Sequence, residues 1–415
     1  MNKRNPLFLL GAGASKPAGV PLAGEMTLEM IRRCDANRRS ELGKTIRAIE
    51  GALRMQSGVV DSFHGEAVNI ESILNAAEML GDRFSLELAP FVAAWHPIIE
   101  ALEATRLSSF EAESIGRRAG GRLHFPSGPR VAQRSQHSNE SDIRSTFSNA
   151  LAGALLDLSS RLQRRPDGSL FRTLKAFLTG ELARITLLND PLPLAYLDSL
   201  LELGRSRPVH IATLNYDNSI ELRAQALGIP CSTGIADWVN NASFAAPQNE
   251  PGIDLIKLHG SVRWLWAKPK SDLPAGFEDR IVTEVGDDVM KASLDGTPLV
   301  FPSETIGNQM AVIFGGRNKL TAEGPFLDLL IKFKALLVQT DELIVVGYSF
   351  RDPHVNHCIL RWLGATGRKS RLIVVEHTEV ALDDVAFLKL IQKTTPGQLD
   401  FQPIGAEAGM RLSAN

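Results

Sequence analysis

The sequence predicts an α/β fold: a parallel sheet with helices on both faces and a large helical insertion after the first strand–helix unit. Three observations carry this. Pro6-Leu-Phe-Leu-Leu10, Leu343-Ile-Val-Val346 and Leu372-Ile-Val-Val375 are short β-rich runs, apolar on both faces, as strands buried between two helical layers must be. The first two run straight into glycine, at Gly11 and Gly347. Between about 40 and 205 only helical periodicity is found, and no convincing strand.

In order along the chain, residues 6–10 form the first strand, Gly11-Ala-Gly13-Ala-Ser15 a turn, and Glu25 to Arg33 a helix. Lys3 and Arg4 before an apolar run, with Ala12-Gly13-Ala14 after it, imitate a secretory leader. That run is short of the ~7–15 residues of a secretory core, so a buried strand is expected instead. Ile70, Ile73, Leu74 and Ala77 stand at i, i+3, i+4 and i+7, one face of a helix. Further helical stretches cover roughly 86–105, 143–163, 170–183 and 192–204. Between 104 and 145 there are seven Arg against four acidic residues, read as a solvated loop or a contact surface. After 205 strands resume at Val209–Thr213, Asp254–Leu258 and Pro298–Phe301, and Phe326, Leu329, Leu330, Phe333, Leu336 and Leu337 mark one face of a helix. The expected division is therefore 1–36 with 206–415 as one discontinuous domain, and 37–205 as a helical insertion.

Composition narrows the function. In 415 residues, 45 Lys plus Arg against 47 Asp plus Glu leave a net charge of −2, too balanced for binding nucleic acid by bulk electrostatics. No stretch approaches the ~20 apolar residues of a membrane helix. Cys34, Cys231 and Cys358 are far apart and odd in number, which argues against a disulfide framework and rules out a four-cysteine zinc site in one chain. Buried thiols in a reducing cytosol fit better.

Four motifs stand at strand ends, where open α/β sheets bind ligands. Gly11-Ala-Gly13-Ala-Ser15 allows a tight turn and close approach to a pyrophosphate, although Lys16 stands where a G-x-G-x-x-G motif has its third glycine. In Thr213-Leu-Asn215-Tyr-Asp217, Asn215 can both donate and accept; Asn215 and Asp217 could equally cap the next helix. Lys257-Leu-His259-Gly260-Ser261 holds a histidine suited to proton transfer near neutrality, or to a structural role. In Gly347-Tyr-Ser349-Phe-Arg351-Asp352-Pro353, Asp352 and Pro353 read as an N-cap and first helical turn. Arg351 breaks G-x-S-x-G, disfavouring a serine hydrolase. His354, His357 and Cys358 have helical spacing, either a packed face or a metal site. Glu376, ending the last strong strand, could hold a ribose diol or lie on the surface.

In combination these motifs resemble the sirtuin-like superfamily of NAD-consuming domains. Gly11–Ser15 followed by Gly19-Val20-Pro21 is similar to that family's opening Gly-Ala-Gly-x-Ser…Gly-Ile-Pro. Thr213-x-Asn215-x-Asp217 is similar to its Thr-Gln-Asn-x-Asp, His259-Gly260 to its catalytic His-Gly, and Gly347-x-Ser349 to its late Gly-x-Ser. Lys-Leu-His-Gly-Ser, Gly-Tyr-Ser-Phe-x-Asp and Asn69-Ile-Glu71-Ser-Ile-Leu74 resemble the bacterial branch acting in antiphage defence. Sirtuin deacetylases continue Gly-Ile-Pro with Asp-Phe-Arg, where this chain has Leu22-Ala-Gly24, and usually carry four zinc-binding cysteines.

The resemblance implies a Rossmann-like domain hydrolysing NAD to nicotinamide and ADP-ribose, without metal. It implies that Asn215 positions ribose or water, that His259 accepts a proton, and that Asp217 orients the catalytic loop. It further implies that Gly11, Ala12, Gly13 and Ser15 hold the pyrophosphate beside Thr213, and that Gly347, Ser349 and Glu376 line the adenosine half. It implies a cytoplasmic homo-oligomer depleting NAD after infection, controlled by self-assembly or by a separate HerA-type ATPase or Argonaute-type protein. A sensor that binds NAD or ADP-ribose without turnover, and an NAD-dependent protein deacylase, are the alternatives.

Overall fold

The computed structural model describes residues 6–36, 40–59, 68–86, 169–241, 243–244, 250–269, 281–295, 304–313, 324–365, 370–377, 379–395 and 397–412, together with 89 and 99. The helical stretches expected at 143–163 and over most of 86–105, the Arg-containing segment 104–145 and the strand expected at 298–301 lie outside these residues. The chain divides into two compact units. One comprises Met1–Met30, Asn69–Ser72 and Leu178–Asn415; the other comprises Ile31–Val68 and Ile73–Phe177.

The first unit contains every described strand: β1 (Leu7–Leu10), β2 (Pro208–Thr213), β3 (Cys231–Ser232), β4 (Gly252–Lys257), β5 (Gly260–Pro269), β6 (Ile281–Glu284), β7 (Glu304–Val312), β8 (Glu342–Val346), β9 (Arg371–Glu376) and β10 (Leu399–Pro403). Seven form one sheet in the order β10-β9-β8-β1-β2-β4-β3, and every pairing in it is parallel. The sheet is Rossmann-like. β1 pairs with β2 on one side and β8 on the other, so the chain reverses its direction of travel across the sheet at β1.

The apolar runs are explained by alternation. Leu7 and Leu9 join Leu343, Val345, Leu372 and Val374 under the helices Phe326–Gln339, Pro353–Leu363 and Ala386–Thr394. Phe8 and Leu10 join Ile211, Leu255, Ile344 and Val346 under Ser219–Leu227 and Gly405–Leu412. Successive side chains point to opposite faces, and both faces are covered, so neither position tolerates a polar residue.

Three features depart from the sequence expectation. Gly11–Ser15 is more than a turn: Ala12–Ser15 is a single helical turn, continued as a 3-10 turn over Lys16–Ala18. Residues 192–205 form a 3-10 turn, a short α-helix and another 3-10 turn rather than one regular helix. A small antiparallel sheet, β6-β5-β7, follows His259 directly.

In the second unit, the helix Ser40–Val59 buries Leu42, Ile46 and Ile49. Arg83 is buried; its guanidinium lies 4.3 Å from the Phe84 ring centroid and donates to Leu80 O at 2.7 Å. No described helix is long and apolar enough to cross a membrane.

Candidate active site

The four motifs follow β1, β2, β4 and β8, neighbours in the order β8-β1-β2-β4. All leave the C-terminal edge of the sheet, around the switch point at β1, where ligands of open α/β sheets bind.

The glycines are required chiefly by each other. A Cβ on Gly11 would meet Gly347 O at 2.5 Å, one on Gly13 would meet Gly347 Cα at 2.8 Å, and one on Gly347 would meet Ala14 N at 2.4 Å. Gly347 also has φ +61°, a left-handed conformation costly for other residues. Gly11 N donates to Val346 O, Gly13 N to Gly347 O and Ala14 N to Gly11 O, so these amides are engaged within the protein. Ala12 is exposed and, standing first in its helical turn, has no acceptor for its N–H there.

Asn215 is half-buried beyond β2. Its Nδ2 donates to Gly11 O at 2.9 Å and Ser15 Oγ at 2.8 Å. A carbonyl can only accept, which fixes the amide orientation. Its Oδ1 has no donor among the described residues. Thr213 donates to Leu10 O and accepts from Asn215 N, stapling this segment to β1. Asp217 is buried; its Oδ1 accepts from Ser219 N at 3.1 Å, so it shapes the start of the helix. Lys257 Nζ reaches the Asp217 carbonyl and lies 2.8 Å from Glu221 Oε1, with both side chains almost wholly buried.

His259 is buried, and its Nε2 lies 2.8 Å from Asp352 Oδ2. Asp352 uses its other oxygen, Oδ1, to cap the helix Pro353–Leu363 through His354 N and Val355 N. The cap is where the motif placed it; the histidine clamp was not foreseen. β4 and β8 are three strand spacings apart, roughly 14 Å, so the loops must lean toward each other over β1 and β2. The 347–352 loop does this through an unusual backbone: Phe350 has φ +55°, and its ring stacks on Phe387 with centroids 5.1 Å apart. A non-glycine residue in that region stores strain, which clusters at functional sites.

Gly260 has φ +88°, and a Cβ there would lie 2.2 Å from Ala311 O. Only glycine lets the chain pass from His259 into β5. Ser349 is exposed beside the site, and Glu376 is half-buried at the end of β9. Burial pushes the Glu376 carboxyl up, against the opposing pull of the His377 amide and ring. Of His354, His357 and Cys358, only Cys358 is buried, facing the core. No cluster of three or more His, Cys, Asp or Glu that could hold a metal occurs among the described residues.

Three residues of this site carried no assigned role in the sequence: Lys257, Tyr216 and Glu71. Each lies inside a motif already quoted, within two residues of the one that drew attention. Tyr216 Oη donates to Glu71 Oε1 at 2.6 Å, and its ring centroid is 6.3 Å from that of His259.

Residues 209–392 match the family model described as the SIR2-like domain. No curated protein matches the chain. Solved structures that it resembles include a Sir2 in complex with the inhibitor EX-527, 2'-O-acetyl-ADP-ribose and a deacetylated p53 peptide (18% identity over 53% of this chain and 69% of that one, TM-score 0.29). They also include a structure on the basis of sirtuin substrate affinity (18%, 53% and 66%, TM-score 0.30) and Sir2 with p53 peptide and NAD+ (17%, 53% and 67%, TM-score 0.29). The chain spans about two thirds of the length of these proteins. A SIR2-like domain is thus matched over residues 209–392, the stretch that holds the Thr213–Asp217 segment, His259-Gly260 and Gly347.

Proposed function

We propose that this protein binds NAD+ and hydrolyses it to nicotinamide and ADP-ribose. The observation that carries the reading is the pairing of His259 with Asp352 at the sheet edge that also presents Asn215. A carboxylate at Nε2 holds the imidazole in one orientation and stabilises the imidazolium formed when it takes a proton. Asn215 Oδ1 remains to accept a hydrogen bond from a ribose hydroxyl or from the attacking water.

In the reaction, the N-glycosidic electron pair leaves with nicotinamide, already a cationic leaving group, so little acid catalysis is needed. Water oxygen bonds to the anomeric carbon and one proton is released. The transition state has oxocarbenium character. His259 accepts the proton from the water or from a ribose hydroxyl; Asn215 positions; Asp217 holds the loop through its helix contact. The pyrophosphate is assigned to the Gly11–Ser15 bend with the Ala12 N–H, at the start of its helical turn, as donor, beside Thr213. Gly347, Ser349 and Glu376 border the adenosine half.

The motifs Lys257–Ser261 and Gly347–Asp352 support placing this activity in antiphage defence, as NAD depletion in the cytoplasm controlled by self-assembly or by a separate HerA-type or Argonaute-type partner. The test is NAD consumption by the full chain, with and without products of neighbouring genes. His259→Ala should lower the rate by ~10²–10⁴-fold, and Asn215→Ala should also lower it. Wild-type turnover in His259→Ala overturns the mechanism. Tight NAD binding by calorimetry with no turnover under any condition would favour the sensor instead.

A further inference from the structure

We propose that Glu71 is a positioning residue of this site, acting through the Tyr216 hydroxyl on the loop that carries Asn215 and on the turn that carries His259. This rests on the NAD-cleaving function above.

Tyr216 lies between Asn215 and Asp217 and is buried. It is tied to both ends of the His259 turn. Its carbonyl accepts from Val262 N at 2.9 Å. Its hydroxyl lies 3.1 Å from Ile313 O, and Ile313 N donates to His259 O at 3.0 Å. Its ring faces that of His259 at 6.3 Å, tilted by 33°, within the range of favourable aromatic contacts. The phenol carries one proton, and among the described residues Glu71 Oε1 and Ile313 O both lie within its reach. The 2.6 Å distance to Glu71 Oε1 marks the stronger, charge-assisted partner. Burial and the Glu71 carboxylate push the Tyr216 phenol well above its usual value, so it stays a donor and does not compete with His259 as a base. Glu71 thus decides where the phenol points, and the phenol's position fixes the segment on either side of it.

The test uses the full-length Glu71→Ala, Glu71→Gln and Tyr216→Phe variants and the Glu71→Ala/Tyr216→Phe double variant. Two readouts are taken: kcat and KM for NAD, and the His259 imidazole signal by NMR, assigned against His259→Asn. Glu71→Ala should lower kcat on the order of 10-fold, with KM nearly unchanged, and the double variant should lose no more than either single change, as coupled neighbours do. Glu71→Gln, which still accepts from the phenol, should restore most of the rate. The His259 signal should shift in the Ala and Phe variants and return in Gln. Losses that multiply in the double variant, or a Glu71→Ala protein unchanged in both readouts, overturn the proposal. A wild-type chain inert toward NAD whose His259 signal still moves with Glu71 supports the linkage and rejects the NAD-cleaving function. An unmoved signal in that inert chain rejects both.

Discussion

Replacing Asp352 by Asn separates its two roles. Oδ1 caps the helix Pro353–Leu363, and Oδ2 holds His259 Nε2 at 2.8 Å. Asn caps helices about as well as Asp, so stability should change by less than about 1 kcal/mol. The other half of the side chain becomes an NH₂ donor facing Nε2. Nε2 must then accept, and the imidazole proton moves to Nδ1. The base is held in the wrong tautomer, and kcat should fall by ~10²–10⁴-fold. Asp352→Ala removes both roles. It loses the cap, ~1 kcal/mol, and a buried charge-assisted hydrogen bond, ~1.5–3 kcal/mol, for a total of roughly 2.5–4 kcal/mol. The assays are urea unfolding for stability, nicotinamide release for rate, and nitrogen-15 NMR of the histidines for the tautomer. An Asn variant with a wild-type rate and the proton still on Nε2, or one as unstable as Ala, would refute the reasoning.

Other outcomes follow from the same contacts. Gly347→Ala must place a methyl 2.4 Å from Ala14 N at φ +61°, and should lose about 2–5 kcal/mol from left-handed strain and overpacking. Gly228→Ala, at φ +64° with open space around it, should lose only about 1–2 kcal/mol, so equal unfolding midpoints for the two would contradict the packing account. Lys257→Met strands the buried Glu221 carboxylate and should cost about 3–5 kcal/mol, with most of it regained on adding Glu221→Leu; denaturation of both variants checks this. Asp254 is buried, which raises its pKa, but the His210 hydrogen bond and Lys332 outweigh burial and hold it below the ordinary aspartate value. A depressed folded pKa contributes stability above that value that is lost as pH falls through the lower one. Unfolding followed from pH 6 downward should therefore show a loss below about pH 4 that is smaller in Asp254→Asn.

The large sheet was legible because its strands are buried on both faces and therefore read as unbroken apolar runs, each ending in a recognisable loop. The small sheet was not. β5 holds Arg263 between apolar residues, and its pairing with β7 shifts register twice, so no clean alternation survives. β10 pairs at the sheet's edge, half-buried and ending at Pro403, where selection for an apolar pattern is weak.

The sequence alone determined the five strands β1, β2, β4, β8 and β9 of the sheet and the residues at their ends, because burial on two faces and the turn chemistry of glycine act locally. Only the folded chain decided how those ends interlock. Gly11, Gly13 and Gly347 leave room for one another. Asp352 reaches a histidine 93 residues away, and Glu71 a tyrosine 145 residues away. A side chain's local pattern specifies its face and its cap, but a carboxylate's second oxygen finds its partner only where topology brings two loops over the same strand.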